Sequence, residues 1–198
     1  MPSSQTNLSK NQIFNLIILI EALVLILATA WSWLAKIELL TAFSKADPLQ
    51  MAAGLGTGFL LSLTSIATAR LALALRDKFK FFDIYLELIN DVMAPVFSKF
   101  LFRDIVLIAL ASGFCEEVFY RGVLQNQFGI LIASIVFGLC HFAGKRYLFY
   151  AIWAALAGAL FGYMIILTGS LWPPILAHIT NNFVSLTYLR YRHKADEA

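Results

Sequence analysis

Five ionisable side chains that could carry chemistry stand inside apolar stretches of this chain. They are Glu116, Glu117, Arg121, His141 and His178. Each such residue costs roughly 2.5–3.5 kcal/mol at the centre of a membrane helix, so it needs a functional or structural reason to be there. Carboxylates and imidazoles are the usual general acids and bases, which makes the cluster a candidate catalytic site. Glu21, which stands apart from the cluster in the first apolar stretch, is predicted to serve helix packing or an interface.

Helical spacing divides the first three residues of this set. Glu117 and Arg121 are four apart, so on a helix they share a face in the favourable order for an ion pair. Glu116 points about 100° away around the helix and is free to act elsewhere. The alternative is that all three form one structural network at the end of a span.

Two further polar pairs have the same spacing. Phe137 and His141 are four apart, with the ring placed to pack beneath the imidazole, and His178 and Asn182 share a face after a Pro-Pro helix start. An imidazole and a carboxamide offer directed donors for an oxyanion. Alone, each pair could be a packing or interhelical hydrogen-bonding device, but three pairs on separate apolar segments favour a catalytic site.

The surrounding chain is that of a membrane protein. It has 198 residues, of which 60% are hydrophobic and only 14% are charged, against about a quarter charged in soluble domains. The net charge of +3 is too small and scattered to indicate nucleic acid. Cys115 and Cys140 lie in apolar segments without a CxxC pattern, which argues against a disulfide framework.

These features predict an all-α, polytopic bundle of about six spans. The predicted spans are 13–34, 51–75, 103–124, 128–144, 147–168 and 171–189. Between spans two and three, mixed aromatic and charged residues predict an amphipathic interfacial helix that breaks at Pro95, with a solvated loop as the alternative. Small residues four apart, in Gly54/Gly58 and Ala154/Gly158/Gly162, predict close helix contacts.

The chain is predicted to divide into three parts. Residues 1–102 hold an N-terminal tail, two spans and the interfacial helix, 103–190 a catalytic transmembrane core, and 191–198 a basic C-terminal tail. The first apolar run is too long for a signal peptide and is predicted to be retained. Lys and Arg concentrate on the side holding both termini, which the positive-inside rule places in the cytoplasm.

The three motifs E-E-x-x-x-R, F-x-x-x-H and H-x-x-x-N, in this order, resemble those of the CPBP intramembrane proteases, a family named for CAAX and bacteriocin processing that includes type II CAAX prenyl endopeptidases and Abi-type proteins. The resemblance covers roughly residues 103–190. It implies that Glu116 with His141 activates a water, that His178 and Asn182 stabilise the oxyanion, and that Glu117, Arg121 and Phe137 position the site.

A metal-free, glutamate-dependent reaction is favoured over a metal-dependent one. Glu116, His141 and His178 could supply three zinc ligands, the number that a catalytic zinc site uses. That set would leave only Glu117 as base, and Glu117 is expected to be tied to Arg121. No cofactor is therefore favoured, with zinc as the alternative.

The depth of the residues in their spans predicts an irregular segment. Counted from the outer ends of regular spans at about 1.5 Å per residue, His141 misses Glu116 and His178 by roughly 8–10 Å. The site assembles if span four begins nearer residue 132 and residues 125–131 form a loop that dips inward.

The expected partners are the lipid bilayer and a membrane-associated or lipidated peptide or protein substrate, in a prokaryotic inner or an organellar membrane. A proton or ion transporter is a competing hypothesis, although the acids cluster in one place and no repeat is visible. A non-catalytic membrane scaffold that retains the protease fold is another. The sequence indicates neither the substrate nor the oligomeric state.

Overall fold

The computed structural model describes residues 8–45 and 47–196, with side chains through residue 192. Within these residues every regular element is helical. The α-helices are α1 (Lys10–Leu34), α2 (Leu39–Ser44), α3 (Pro48–Leu75), α4 (Lys80–Glu87), α5 (Ala94–Phe97), α6 (Phe102–Glu117), α7 (Gln125–Cys140), α8 (Leu148–Thr168) and α9 (Trp172–Asp196). Two π-helical turns (Leu88–Met93 and Val118–Leu124) and a 3₁₀ turn (Lys145–Tyr147) link some of them. Most of the predicted N-terminal tail and the last two residues of the C-terminal tail lie outside the described residues.

The fold is an all-α membrane helix bundle, as the composition predicts. Among the described residues, four helical runs are long and apolar enough to cross a bilayer, namely Lys10–Leu34, Pro48–Leu75, Phe102–Cys140 and Lys145–Thr168. The bundle also exposes large apolar side chains, among them Leu131, Leu156 and Leu167 at 61–70% exposure. Apolar residues on the outside and polar ones inside are the arrangement that lipid demands. The protein is therefore an integral membrane protein.

The chain reverses direction at Gly129, inside the run Phe102–Cys140. Gly129 has a φ of 82° and a ψ of 167°, a conformation that glycine adopts readily and other residues avoid. The rings of Tyr120 and Phe137 lie 5.0 Å apart, although a straight helix would separate them by about 25 Å. The helix through Phe128 thus folds back on residues 130–140. The predicted loop over residues 125–131 is wrong, because a single glycine makes the reversal, but the second helix does start near residue 132.

At each end of the bundle, polar contacts join neighbouring segments to one another. At one end, Lys10 pairs with Asp104 at 2.8 Å, and the Arg190 Nε donates to the Phe100 carbonyl at 2.8 Å. At the other end, the Leu171 amide donates to the carbonyl of Ala42 in α2 at 3.0 Å. The starts of α1 and α6 and the last turns of α9 therefore lie at the same end. This arrangement agrees with six alternating segments, although α9 is not among the four runs that qualify as spans by themselves.

The segment between α3 and α6 is helical and continues through Pro95. The helix α4 passes into the π-helical turn Leu88–Met93 and then into α5, where Pro95 occupies the first turn. The predicted break at Pro95 is therefore wrong. Proline has no backbone N–H to donate, but Pro95 stands in the first turn of α5, where an N–H needs no partner within the helix. Glu87 accepts hydrogen bonds from the guanidinium of Arg146 and, at 2.9 Å, from the hydroxyl of Tyr147. These hydrogen bonds, chiefly that from Arg146, hold the pKa of the Glu87 carboxyl below its usual value.

Small residues bring the backbones of α3 and α9 together. A Cβ added at Gly54 would collide with the Pro173 carbonyl oxygen, and one added at Gly58 would collide with that of Ala177. On α8, a Cβ at Gly158 would lie 2.9 Å from the Arg121 guanidinium. The predicted close contacts at these positions are thus confirmed, and Gly158 makes room for a charged side chain of the site.

Candidate active site

Glu117 is the centre of a buried polar network. Its side chain is fully buried, and its Oε1 accepts a hydrogen bond from Arg121 Nη1 at 3.0 Å and another from His178 Nδ1 at 2.8 Å. The ion pair with Arg121 follows the predicted i,i+4 geometry. The bond to His178 was not predicted, and it joins the first motif directly to the third.

Aromatic rings surround the Arg121 guanidinium. Its carbon lies 4.4 Å from the centre of the Phe137 ring and 5.5 Å from that of Phe161, and the residue is only 2% exposed. A cation over ring faces is attracted by their negative quadrupole, more strongly where water is excluded. Phe137 thereby links the arginine of the first motif to the second motif.

His141 caps the end of α7 beside Phe137. The two rings are 4.5 Å apart, and the His141 Nδ1 lies 2.8 Å from the Phe137 carbonyl oxygen. A carbonyl oxygen can only accept, so Nδ1 must carry the hydrogen of this bond. In the neutral ring, Nε2 then holds a lone pair that can accept a proton.

His178 and Asn182 are each held by an unpredicted partner. The bond to Glu117 uses Nδ1 of His178 and leaves Nε2 available, while the ring stacks on Phe161 at 5.3 Å. The Asn182 amide donates to the Ser112 hydroxyl at 2.9 Å. This amide group has two N–H bonds, so a second donor remains for a ligand.

Glu116 lies on the other side of α6, half-buried between α1 and α8. Its Oε2 is buried and has no hydrogen-bond donor in the part of the chain that the structure describes. It interacts with the carboxyl of Glu21 on α1, within hydrogen-bonding reach, and electrostatically with Tyr150 on α8. Glu21 therefore does not stand apart from the cluster.

A cavity of about 340 Å³ adjoins these residues. Its polar lining includes His141, His178 and Asn182, whereas Glu116 and Glu117 do not line it. Tyr150 links Glu116 to the cavity, because it interacts electrostatically with Glu116, lines the cavity and packs edge-on against the His141 ring at 6.2 Å. The remaining lining is mainly apolar and aromatic and includes Phe81, Tyr85, Phe149, Trp153 and Phe161. Burial raises the pKa of Tyr85 to about 12, so its phenol stays neutral at the cavity wall.

The alternative zinc ligands do not gather into a metal site. Among the residues that the structure describes, no three His, Cys, Asp or Glu side chains are placed to hold a metal ion. Of the three candidates, Glu116 faces Glu21 while His178 is bound through Nδ1 to Glu117. The residues present therefore do not fit zinc in this arrangement, and metal independence stays a prediction.

Three contributors were missed from the sequence: Glu21, Ser112 and Tyr150. Ser112 lies four residues before Glu116, which puts it on the same face by helical spacing, but serine is common in membrane helices. Tyr150 lies in a span without any other polar signal. Glu21 was noticed as a buried charge, but no spacing rule connects it to a residue 95 positions away.

The fold and site together define a polytopic membrane protein with a buried glutamate–arginine–histidine network beside a largely apolar cavity. Residues 94–184 match the family model described as "Type II CAAX prenyl endopeptidase Rce1-like". This part of the chain, which holds all three motifs, is therefore similar to the Rce1-like family, and the resemblance to CPBP proteases is confirmed.

One curated relative is the uncharacterized protein YpbD of Bacillus subtilis (strain 168), which is 31% identical over 115 residues. The match covers 58% of this chain and 60% of YpbD, so the chain matches less than two thirds of that relative. No solved structure matches the chain significantly.

Proposed function

We propose that this protein is an intramembrane endopeptidase that hydrolyses a peptide bond in a membrane-associated or lipidated substrate. The observation that carries the proposal is the cavity, in which His141, His178 and Asn182 meet a largely apolar wall. Such a site suits a substrate whose apolar part stays out of water in the cavity, while a few polar groups of the protein orient its scissile bond. The match of residues 94–184 to a family model of CAAX-type endopeptidases supports the same reaction class.

In the proposed reaction, Glu116 and His141 activate a water that attacks the scissile carbonyl. The proton acceptor at His141 is Nε2, because Nδ1 is occupied by the Phe137 carbonyl. The same nitrogen can return the proton to the leaving amine, so that the peptide bond breaks to an acid and an amine. Tyr150 interacts with both residues and lines the cavity, which supports their acting together there.

His178 and Asn182 stabilise the oxyanion of the tetrahedral intermediate. Asn182 offers its second amide N–H, while Ser112 fixes its orientation. His178 donates from Nε2 as an imidazolium, whose Nδ1–H is bonded to the Glu117 carboxylate. Donors fixed in place before the reaction need no reorganisation as charge develops, and this preorganisation is the main benefit of an oxyanion hole.

The basic end of the bundle faces the cytoplasm in this proposal. Lys10, Arg103 and Arg190 belong to the end at which α1 and α6 start and α9 terminates. The positive-inside rule places such an end in the cytoplasm. The membrane is a prokaryotic inner membrane or an organellar one.

The test is peptide cleavage by purified protein in liposomes, with Glu116→Ala and His141→Ala variants. Each variant is expected to lose at least about 100-fold in kcat, the usual contribution of a general base. Leu139→Ala, on the exposed face of the same helix as His141, is the matched control. Unchanged cleavage in both variants would overturn the mechanism, and a chelator series would show whether a metal takes part.

Substrates can be sought by comparing the peptide termini of membrane proteins in cells that carry the wild-type or the Glu116→Ala protein. Termini that are present only with the wild type identify cleavage products. A non-catalytic scaffold predicts identical termini in both.

A further inference from the structure

Glu21 is a buried carboxyl group outside the region that matches the family. It lies near the middle of α1, is 7% exposed, and its Oε2 is buried without a hydrogen-bond donor from any described residue. The family match begins only at residue 94. Neither the motifs nor the match therefore assigns this residue a role.

Glu21 reaches the predicted general base. Its side chain lies within hydrogen-bonding reach of Glu116, whose own Oε2 is likewise buried without a donor. The helix that carries Glu21 is fixed near both ends, by the Lys10–Asp104 ion pair and by the 2.6 Å hydrogen bond from Trp31 Nε1 to Gln127 Oε1. The juxtaposition is thus set by the packing of α1 on the core.

The chemistry of two carboxyl groups at this distance is restrictive. Ionised carboxylates have only acceptors, so a hydrogen bond between them needs one proton. Two adjacent negative charges in a buried site would also repel each other while losing their hydration. The pair satisfies both conditions when one carboxyl carries a proton and donates it to the other.

We propose that Glu21 is a positioning residue for Glu116, holding its carboxylate by a hydrogen bond from a protonated Glu21 side chain. The Glu116 carboxylate is then held in one orientation, as a general base requires. The inference rests on the proposed function of Glu116. It adds a residue of the first helix to a site whose motifs all lie after residue 115.

The experiment compares Glu21→Gln, Glu21→Leu and wild type in liposomes. Glu21→Leu is expected to lower kcat about tenfold with KM changed less than about twofold, because one hydrogen bond to a charged group is lost. Glu21→Gln is expected to keep kcat within about threefold of wild type, since its amide N–H can donate to the same carboxylate. Asn15→Leu, which removes an exposed polar side chain from the same helix, is the matched control and should change neither constant.

A second measurement does not depend on activity. The infrared carbonyl stretch of a protonated carboxylic acid should be present in the wild type, absent in Glu21→Gln and shifted in Glu116→Gln. Loss of this band in Glu21→Gln without cleavage in any protein would sink the proposed function and leave the carboxyl pair standing. If Glu21→Gln leaves the band unchanged, or if Glu21→Leu keeps full kcat, Glu21 does not position Glu116.

Discussion

Removal of the Glu117 carboxylate should unfold the network around it. Arg121 is 2% exposed and Glu117 is its only ion-pair partner among the described residues, so Glu117→Ala leaves a buried guanidinium without the carboxylate that contacts it. Breaking a buried pair from one side costs about 3–5 kcal/mol. We expect the free energy of unfolding to fall by that amount, a large part of the roughly 5–15 kcal/mol typical of proteins.

The double variant Glu117→Leu/Arg121→Met separates charge from packing. It removes both charges and keeps similar volumes, so the free energy of unfolding should return to within about 1–2 kcal/mol of wild type. Its peptidase activity should nevertheless stay low, because His178 has lost the carboxylate that holds Nδ1.

The assay is denaturant-induced unfolding of purified protein in detergent micelles, followed by tryptophan fluorescence, with cleavage measured in parallel. A Glu117→Ala protein as stable as wild type would show that Arg121 finds compensation elsewhere and would refute the reasoning. Full cleavage in the double variant would refute the role of Glu117 in holding His178.

Two further predictions concern the helix contacts. Gly58→Leu should destabilise the bundle by at least about 1–3 kcal/mol, because the added side chain meets the Ala177 backbone, whereas Gly56→Leu on an open face of the same helix should be neutral in the same unfolding assay. The bonds from Arg146 that lower the Glu87 pKa stabilise the fold above the ordinary glutamate pKa, and this stabilisation is lost as the pH falls through the lowered value. The protection of residues 80–97 against hydrogen exchange, measured relative to the intrinsic rate at each pH, should therefore fall at acidic pH in wild type and should already be low at neutral pH in Glu87→Gln. Equal protection in the two proteins would count against the anchoring role.

The class of fold was predictable because the requirements of a lipid bilayer show directly in the composition and periodicity of a sequence. Apolar runs in a chain with few charges specify spans, and i,i+4 spacing correctly gave the Glu117–Arg121 pair and the Phe137–His141 contact. The reversal at Gly129 was mistaken for a loop, since hydropathy does not reveal where a single glycine turns the chain. Hydropathy likewise does not reveal that the helical path continues through Pro95.

Contacts between distant segments were not predictable from one sequence. The bonds from His178 to Glu117 and from Asn182 to Ser112 depend on how α9 packs against α6, which helical spacing within one element does not encode. Glu21 shows the same limit, because its place in an apolar span was visible in the sequence while its contact with Glu116 was not. The roles of Glu116, His141, His178 and Asn182 stay predictions until the variants are measured.

The turn at Gly129 leaves the helix that carries His141 unusually short. Residues 130–140 rise only about 16 Å, roughly half of the 30 Å hydrocarbon thickness of a bilayer. The chain after His141 is not helical until Lys145, so its backbone groups need water or protein as partners. The shortness of this helix therefore sets how deeply water must enter the membrane, and the lipid around this side of the protein should be thinner than elsewhere.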